Sequence, residues 1–242
     1  MVLFGWLSFC VPPHVLTRGL RGGQSGWPRR FLGGVARIAG VRTIVSGEAP
    51  RARTLLVSNH RSWLDIPVLA GATGCAFVAK AELRDHWLLR WLCLQNGTVF
   101  VDRADRGGIG GQAAMVADAL ERARPLVLFA EGTVSPEPGL LPFRPPLLVA
   151  VAPAPEGVAV RPMAIDYGAA REDLAWRDGE SGVANFRKVM GRRGRITARV
   201  QVLGALEPSP DRKVLTRAAQ AAVTDALALS EPDALPYSGG ES

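Results

Sequence analysis

The chain has 242 residues and a formal net charge of +7, and 48% of its residues are hydrophobic. This length can bury a substantial core, and one domain of mixed class is the expectation. The three scattered cysteines include no C-x-x-C pair, which argues against a disulfide framework or a zinc site. The positive charge favours an anionic partner, namely a nucleic acid, an anionic membrane or a phosphorylated substrate.

The N-terminal run "MVLFGWLSFCVPP" is uncharged but ends at Pro12-Pro13. A bilayer span needs about 20 apolar residues, so the run is too short to cross a membrane. It also lacks the preceding basic region and the small-residue cleavage site of a secretory signal. Secretion is therefore not expected.

Residues 27–38 are predicted to form a basic amphipathic helix, with apolar side chains at spacings of four, four and three: Trp27, Phe31, Val35 and Ile38. The first 50 residues contain one acid, Glu48, and six arginines: Arg18, Arg21, Arg29, Arg30, Arg37 and Arg42. The alternative is an ordinary core-packed helix, because Gly33-Gly34 weakens the pattern. A basic helix with an aromatic-bearing stripe suits a membrane interface, so we expect residues 1–45 to form an amphipathic helical segment that docks on a membrane.

Six short apolar runs follow, and helical patterns alternate with them. The runs predict strands at 54–57, 76–79, 98–101, 126–129, 158–165 and 197–203, and the helical patterns begin near residues 63, 82, 110, 143 and 211. Strands buried on both faces read as continuous apolar runs, as these do. We therefore predict one α/β domain over residues 46–230, with a mostly parallel mixed sheet covered by helices. Residues 231–242 are predicted to be a disordered tail.

Reactive or charged side chains follow three of these predicted strands. They are Asn59-His60 with Asp65, then Asp102-Arg103, then Glu131-Gly132-Thr133. The carboxyl ends of strands are where α/β proteins bind ligands, so we expect these groups to converge on one site.

The stretch "LLVSNHRSWLDIP" contains the arrangement that a general base needs. A carboxylate that accepts the proton of one imidazole nitrogen leaves the other nitrogen free to take a proton. Residues five apart do not stack on a regular helix, so His60 must lie in the turn and Asp65 in the first helical turn. The alternative is that Asp65 only caps the helix and His60 only bonds to backbone. Without a G-x-S-x-G elbow, a histidine that activates the substrate's own hydroxyl is the better interpretation.

Two other patterns point to other classes of function. "GIGGQA" (108–113) fits the dinucleotide fingerprint and would indicate a dinucleotide-dependent oxidoreductase, but "DRADRG" separates its glycines from the preceding strand. The preferred interpretation of "GIGGQA" is a flexible loop before a helix. A second basic cluster at residues 187–199 has little aromatic interleaving, which argues against nucleic-acid binding. A non-catalytic basic membrane-binding protein is the remaining alternative.

Four blocks of the sequence resemble, in order, those of the glycerolipid acyltransferases, the family of the 1-acylglycerol-3-phosphate O-acyltransferases. "NHRSWLD" (59–65) resembles the NHxSxxD block. The others are "GTVFVDR" (97–103), "FAEGTVS" (129–135) and "VRPMAI" (160–165), and "FVAKAEL" (77–83) matches the stretch between the first two. The resemblance covers roughly residues 27 to 205.

The resemblance implies a membrane-associated enzyme on the cytoplasmic face of the inner membrane. It would move an acyl group from acyl-CoA or acyl-carrier protein to a lysolipid hydroxyl, with no cofactor or metal and no acyl-enzyme. His60 would be the base and Asp65 would orient it. The remaining block positions would bind substrate: Asn59, Lys80, Gly97, Arg103, Glu131, Gly132, Thr133 and Pro162.

Two positions depart from the family pattern, and they bear on the acceptor. Ala130 replaces the usual proline, and Val134 stands where the family usually has an arginine that can bind phosphate in a bidentate manner. This variant block is also similar to that of lyso-ornithine lipid acyltransferases, whose acceptor is an aminolipid without phosphate. Because Lys80, Arg103 and Arg106 can still bind phosphate, we expect lysophosphatidic acid as acceptor, giving phosphatidic acid. Lyso-ornithine lipid is the alternative.

Overall fold

A seven-stranded mixed sheet organises the described part of the chain. The computed structural model describes residues 2–20, 25–102, 108–122, 124–134, 139–177 and 179–229. The strands are β1 (Val41–Ser46), β2 (Thr54–Ser58), β3 (Ala76–Lys80), β4 (Val99–Val101), β5 (Leu126–Phe129), β6 (Ala159–Asp166) and β7 (Ile196–Val202). Their order is β1-β7-β6-β2-β5-β3-β4.

Five of these strands, β6, β2, β5, β3 and β4, run parallel to one another. The other two, β7 and β1, form a parallel pair that joins β6 in the opposite direction. The mostly parallel mixed sheet predicted from the sequence is therefore confirmed. The carboxyl ends of the five parallel strands meet at one edge of the sheet, which we call the carboxyl edge.

Helices cover both faces of the sheet. They are α1 (Val2–Leu20), α2 (Trp27–Ile38), α3 (Asp65–Thr73), α4 (Trp87–Gln95), α5 (Ile109–Leu120), α6 (Arg171–Leu174), α7 (Gly182–Gly191) and α8 (Arg212–Ala228). Short 3₁₀ turns span Ala81–Asp85, Pro145–Val151 and Gly168–Ala170. None of the helices in the described ranges combines the length and the hydropathy that a membrane crossing requires.

The central strand β2 separates two apolar layers, because alternate side chains of a strand point to opposite faces. Leu56 packs in the layer that contains α2 and α3, and Leu55 and Val57 pack in the layer that contains α5 and α8. All five residues of β2 are buried. The loop that leaves β2 is therefore anchored on a rigid part of the core.

The N-terminal elements differ in part from the sequence prediction. Helix α2 contains the predicted apolar stripe, but Val35 is buried, and Trp27 and Phe31 line a space shared with residues of α1 and α4. The two glycines that weaken the pattern allow close packing, because a Cβ at Gly34 would clash with Trp6 and one at Gly33 would crowd the backbone of Gly71. The core-packed alternative therefore describes this stripe, while the arginines of α2 remain exposed.

Helix α1 lies in the N-terminal segment, 1–45, that was predicted to be helical, whereas strand β1 and helices α6 and α7 were not predicted. Strand β1 lies at the edge of the sheet, and only Val41 of its six residues is buried, so it gives no continuous apolar run. The predicted boundary between residues 45 and 46 falls inside this strand. Helix α1 continues through Pro12-Pro13. The predicted disordered tail, 231–242, lies outside the described residues.

Candidate active site

His60 and Asp65 lie at the carboxyl edge of the sheet. His60 follows β2 by two residues, and Asp65 is the first residue of α3. The Nδ1 atom of His60 lies 2.7 Å from Oδ2 of Asp65. Because a carboxylate can only accept, Nδ1 carries the proton of this hydrogen bond. In the neutral imidazole, Nε2 is then the nitrogen that can take up a proton, and no hydrogen bond from the described residues occupies it.

Asp65 is held by four hydrogen bonds in a fully buried position. Its Oδ2 accepts the backbone N–H of Arg61 at 2.6 Å and that of Ser62 at 3.0 Å, besides the bond from His60. Its Oδ1 accepts the phenolic O–H of Tyr167 at 2.7 Å. A buried carboxylate is costly unless it is hydrogen-bonded, and these donors compensate the ionised form.

Tyr167 is a site residue that the sequence analysis missed. It follows β6 directly, so it reaches the carboxyl edge beside α3. Burial, and then the neighbouring charge of Asp65, raise the pKa of its phenol well above the ordinary value. The phenol therefore stays protonated and acts as a donor. Its signal in the sequence was its position immediately after the strand that contains "VRPMAI".

Phe129 and Phe77 set the plane of the imidazole. The ring of His60 stacks on Phe129 with centroids 3.9 Å apart and an interplanar angle of 13°. Phe129 in turn stacks on Phe77 at 5.9 Å and 12°. Phe129 lies in the third block of the resemblance and Phe77 in the matching stretch between the first two, but nothing in these motifs shows that the rings touch His60 or each other. The histidine ring is thus fixed by packing as well as by Asp65.

Glu131 joins the loop after β2 to the loop after β5. Its Oε1 accepts the backbone N–H of His60 at 2.7 Å, and its Oε2 accepts that of Leu141 at 2.8 Å. The side chain is 1% exposed. Burial raises the pKa of this carboxyl, and the two backbone hydrogen bonds oppose that shift. Glu131 and His60 thus meet at the carboxyl edge, as expected. Their contact is a hydrogen bond from the backbone N–H of His60 to the carboxylate of Glu131.

Asn59 and Pro162 lie within the sheet layer. The amide of Asn59 donates to the carbonyl of Ile165 and accepts its N–H, both at 2.9 Å, and the side chain is fully buried. Pro162 is a buried residue of β6 in register with Val57 of β2. These contacts hold β6 against β2, and the expected binding of substrate by Asn59 and Pro162 stays a prediction.

The other expected substrate-binding residues are spread over both edges. Gly132 and Thr133 follow Glu131 at the carboxyl edge, and Lys80 is exposed at the end of β3. Gly97 instead precedes β4 and lies at the opposite edge, where its φ of 73° explains the glycine. Its placement gives no support to a substrate contact. Arg103 and Arg106 lie outside the described residues.

The tight glycine turn of a dinucleotide site is not formed by the described part of "GIGGQA". Gly110 and Gly111 lie inside helix α5, and β4 already ends at Val101. Within the described ranges, no group of three or more His, Cys, Asp or Glu side chains is arranged to hold a metal ion.

A protein-family model described as "Acyltransferase" matches residues 42–166. The chain belongs to the acyltransferase family. A lyso-ornithine lipid O-acyltransferase of Pseudomonas aeruginosa is 35% identical over 195 residues, which cover 76% of this chain and 71% of that protein. A 1-acyl-sn-glycerol-3-phosphate acyltransferase of Neisseria gonorrhoeae is 33% identical over 113 residues, which cover 47% and 44% of the two chains.

The fold of this acyltransferase has a solved counterpart. The crystal structure of the 1-acyl-sn-glycerophosphate acyltransferase of Thermotoga maritima superposes with a TM-score of 0.58 at 21% identity. The match covers 94% of this chain and 95% of the other. The sequence-based assignment to an acyltransferase with an α/β fold is confirmed.

Proposed function

We propose that this acyltransferase moves a fatty acyl group from a thioester to the hydroxyl of a lysolipid, with His60 as the general base. The observation that carries the proposal is the Nδ1–Oδ2 bond of 2.7 Å between His60 and Asp65. This bond directs the basic nitrogen, Nε2, away from Asp65 and towards an incoming hydroxyl.

The reaction needs two proton movements, and one imidazole can perform both. Nε2 takes the proton of the acceptor hydroxyl while the hydroxyl oxygen attacks the thioester carbonyl carbon. The tetrahedral intermediate then collapses, the C–S bond breaks, and the leaving sulfur takes the proton from the imidazolium. The products are an ester and a free thiol. Asp65 stabilises the imidazolium between these two movements.

Direct transfer, without an acyl-enzyme, is supported by the burial of the two serines near His60 in sequence. Ser58 is fully buried, and its hydroxyl donates to the carbonyl of Asn59. Ser62 is 1% exposed. A covalent nucleophile must reach the carbonyl carbon of its substrate, and these hydroxyls face the protein interior. The donor is proposed to be acyl-CoA or acyl-carrier protein, with no further cofactor.

Lysophosphatidic acid is the first candidate acceptor, on the resemblance and on the basic side chain of Lys80 near the carboxyl edge. Lyso-ornithine lipid is the second candidate, because a specific observation favours it. Val134, half-buried in the loop after β5, replaces the arginine that the family usually uses there. The relative whose name contains lyso-ornithine lipid also aligns with more of this chain than the one named for acylglycerol phosphate.

One assay tests the reaction and ranks the acceptors. Purified protein receives acyl-CoA or acyl-carrier protein together with lysophosphatidic acid or lyso-ornithine lipid, and ester product is quantified. We expect transfer to one or both acceptors by the wild type and loss of transfer in His60→Ala. No ester with either acceptor and either donor would refute the proposed function.

Variants then examine the acceptor directly. If the phosphate of lysophosphatidic acid is bound, Arg103→Ala raises its KM, and Val134→Arg lowers it or leaves it unchanged. A charge-assisted bond to phosphate contributes about 1.5–3 kcal/mol, so loss of one of several weakens binding without abolishing it. Transfer to lyso-ornithine lipid alone would exclude lysophosphatidic acid and leave the roles of His60 and Asp65 intact.

We also propose that the protein works on the cytoplasmic face of the inner membrane. Its acceptor substrates reside in a bilayer, and the exposed arginines of α2 can bind anionic headgroups. The side chains of Arg37 in α2 and Arg42 in β1 are exposed and make no hydrogen bond or ion pair with the described parts of the chain, so they are available for this contact.

A further inference from the structure

A series of large apolar side chains is exposed on the 3₁₀ turn Ala81–Asp85 and on α4. They are Leu83, Trp87, Leu88, Leu89 and Leu94, which we call the α4 surface. No residue of α4 is buried, and Trp87 is 77% exposed. Single exposed leucines are ordinary, but a series that includes a tryptophan marks an interaction site. From the sequence, membrane docking was predicted only for residues 1–45.

The α4 surface begins at the same edge of the sheet as His60. The turn follows Lys80, the last residue of β3, and β3 and β2 both pair in parallel with β5. At the far end of α4, Asn96 donates to the carbonyl of Cys75, which precedes β3 at the opposite edge. The end of α4 that contains Trp87 is therefore the end near the candidate active site.

Helix α1 extends this apolar surface. The Oε1 atom of Gln95 in α4 lies 2.9 Å from Nε2 of His14 and 2.5 Å from Nη1 of Arg18, both in α1. Helix α1 also has large apolar residues that are exposed: Val2, Phe4, Phe9, Val15, Leu16 and Leu20. Two neighbouring helices thus leave apolar side chains uncovered.

The charges around the α4 surface are nearly balanced. Lys80, Arg84 and Arg90 are exposed beside it, together with Glu82 and Asp85. Arg84 also packs over the ring of Phe100, with 4.8 Å between its guanidinium carbon and the ring centroid. Attraction to anionic lipid is therefore weak here, and burial of the leucines and of Trp87 must supply the affinity. Basic side chains can still extend their charges to the headgroup level.

We infer that the α4 surface inserts into the interfacial region of a phospholipid bilayer and holds the carboxyl edge, with His60, against the lipid. Tryptophan with leucine on one side and lysine or arginine at the rim is the composition of interfacial helices. The occupant is a bilayer rather than a second copy of the chain, because the acceptor must move between the lipid and His60 at this edge. This reason rests on the proposed function.

Tryptophan quenching tests the insertion without any turnover. Full-length protein is mixed with vesicles of zwitterionic and anionic phospholipids whose acyl chains carry bromine, which quenches a tryptophan that enters the bilayer. We expect the vesicles to quench the tryptophan fluorescence of the wild type. They should quench that of Trp87→Phe less, because the contribution of Trp87 is removed. Equal quenching of the two proteins would overturn the inference.

Replacing a leucine of the α4 surface by glutamate tests whether the leucines enter the bilayer. Leu88→Glu should bind the vesicles about tenfold more weakly, the factor that corresponds to losing the burial of one leucine side chain. Its matched control is Val214→Glu, because Val214 is 42% exposed on α8, which packs on the other face of the sheet. Equal binding by the two variants would overturn the inference.

Two further measurements separate the competing outcomes. Light scattering without lipid should give the same mass for the wild type and Leu88→Glu, and a dimer that Leu88→Glu dissociates would overturn the inference. The ratio of acyl transfer on vesicle-bound lysolipid to that on a monomeric short-chain lysolipid should fall about tenfold in Leu88→Glu. If no acceptor is acylated but quenching depends on Trp87, the proposed function fails and the membrane surface stands.

Discussion

Tyr167 donates its phenolic O–H to Oδ1 of Asp65 at 2.7 Å, across 102 residues of sequence. The other oxygen of the same carboxylate accepts Nδ1–H of His60. The phenol thus holds Asp65 from the side opposite the histidine, and it comes from the end of β6, a segment far in sequence from His60 and Asp65. We interpret Tyr167 as a positioning residue for the His60–Asp65 pair.

Tyr167→Phe should lower kcat about tenfold, equivalent to about 1.4 kcal/mol of lost transition-state support. It should also lower the free energy of unfolding by about 2 kcal/mol, because a buried carboxylate oxygen loses its donor. The control is Thr216→Val, which removes a buried hydroxyl on α8, far from the site. Steady-state kinetics check the prediction. A loss of stability with kcat equal to that of the control would reduce Tyr167 to a structural role.

His60→Ala should lower the rate about 10²- to 10⁴-fold, the usual loss for a general base. The fold should persist, because Asp65 keeps its bonds from Arg61, Ser62 and Tyr167, and Glu131 still accepts the backbone N–H at position 60. Acyl transfer is measured beside thermal unfolding, and added imidazole should restore part of the rate. A variant that retains more than half of the wild-type rate would exclude the mechanism.

Asp65→Asn tests the tautomer. An amide presents one acceptor and one donor side, so it cannot serve all the donors that now meet the carboxylate. We expect a loss of about 10²- to 10⁴-fold in kcat, because the imidazole is no longer held with its proton on Nδ1. KM for the acyl donor should change little. The prediction fails if kcat stays within about threefold of the wild-type value.

Glu131→Gln gives a pH-dependent effect on stability. Burial raises the pKa of Glu131 above its ordinary value of 4.5, so folding favours the protonated form. The contribution of this group to stability is complete below pH 4.5 and is lost as pH rises through the raised pKa of the folded state. The free energy of unfolding of the wild type relative to Glu131→Gln should therefore decrease with rising pH across that window. Denaturant unfolding at several pH values measures it, and a difference that increases would contradict it.

Arg37→Ala with Arg42→Ala should weaken binding to anionic vesicles at low salt. Each basic side chain near an anionic surface contributes about 1 kcal/mol, so the pair corresponds to roughly 30-fold. Vesicle sedimentation measures the effect, and added salt should reduce the difference from the wild type by screening. The control is Arg217→Ala on α8, on the other face of the sheet. Equal weakening by the control would mean that net charge, and not this part of the surface, determines binding.

Much of the chemistry was predictable because it is local in the chain. His60 and Asp65 share one loop and one helix start, and their spacing requires the turn that the structure contains. The buried strands were predictable for the same reason, since β2 and β5 are continuous apolar runs. Strand β1 was not, because an edge strand that buries one residue in six leaves no such run.

The sequence by itself determined the family, the fold class and the pair that we propose as base and orienting carboxylate, since each depends on a short contiguous pattern. Only the tertiary structure decided what surrounds that pair. The order of the sheet places β6 beside β2, which brings Ile165 to Asn59 and Tyr167 to Asp65 over more than 100 residues. The tertiary structure also places the backbone N–H groups of His60 and Leu141 against the carboxylate of Glu131, and a sequence motif cannot specify such contacts. Such contacts arise from strand order and loop packing, and these are settled by burial across the whole core rather than by neighbouring residues.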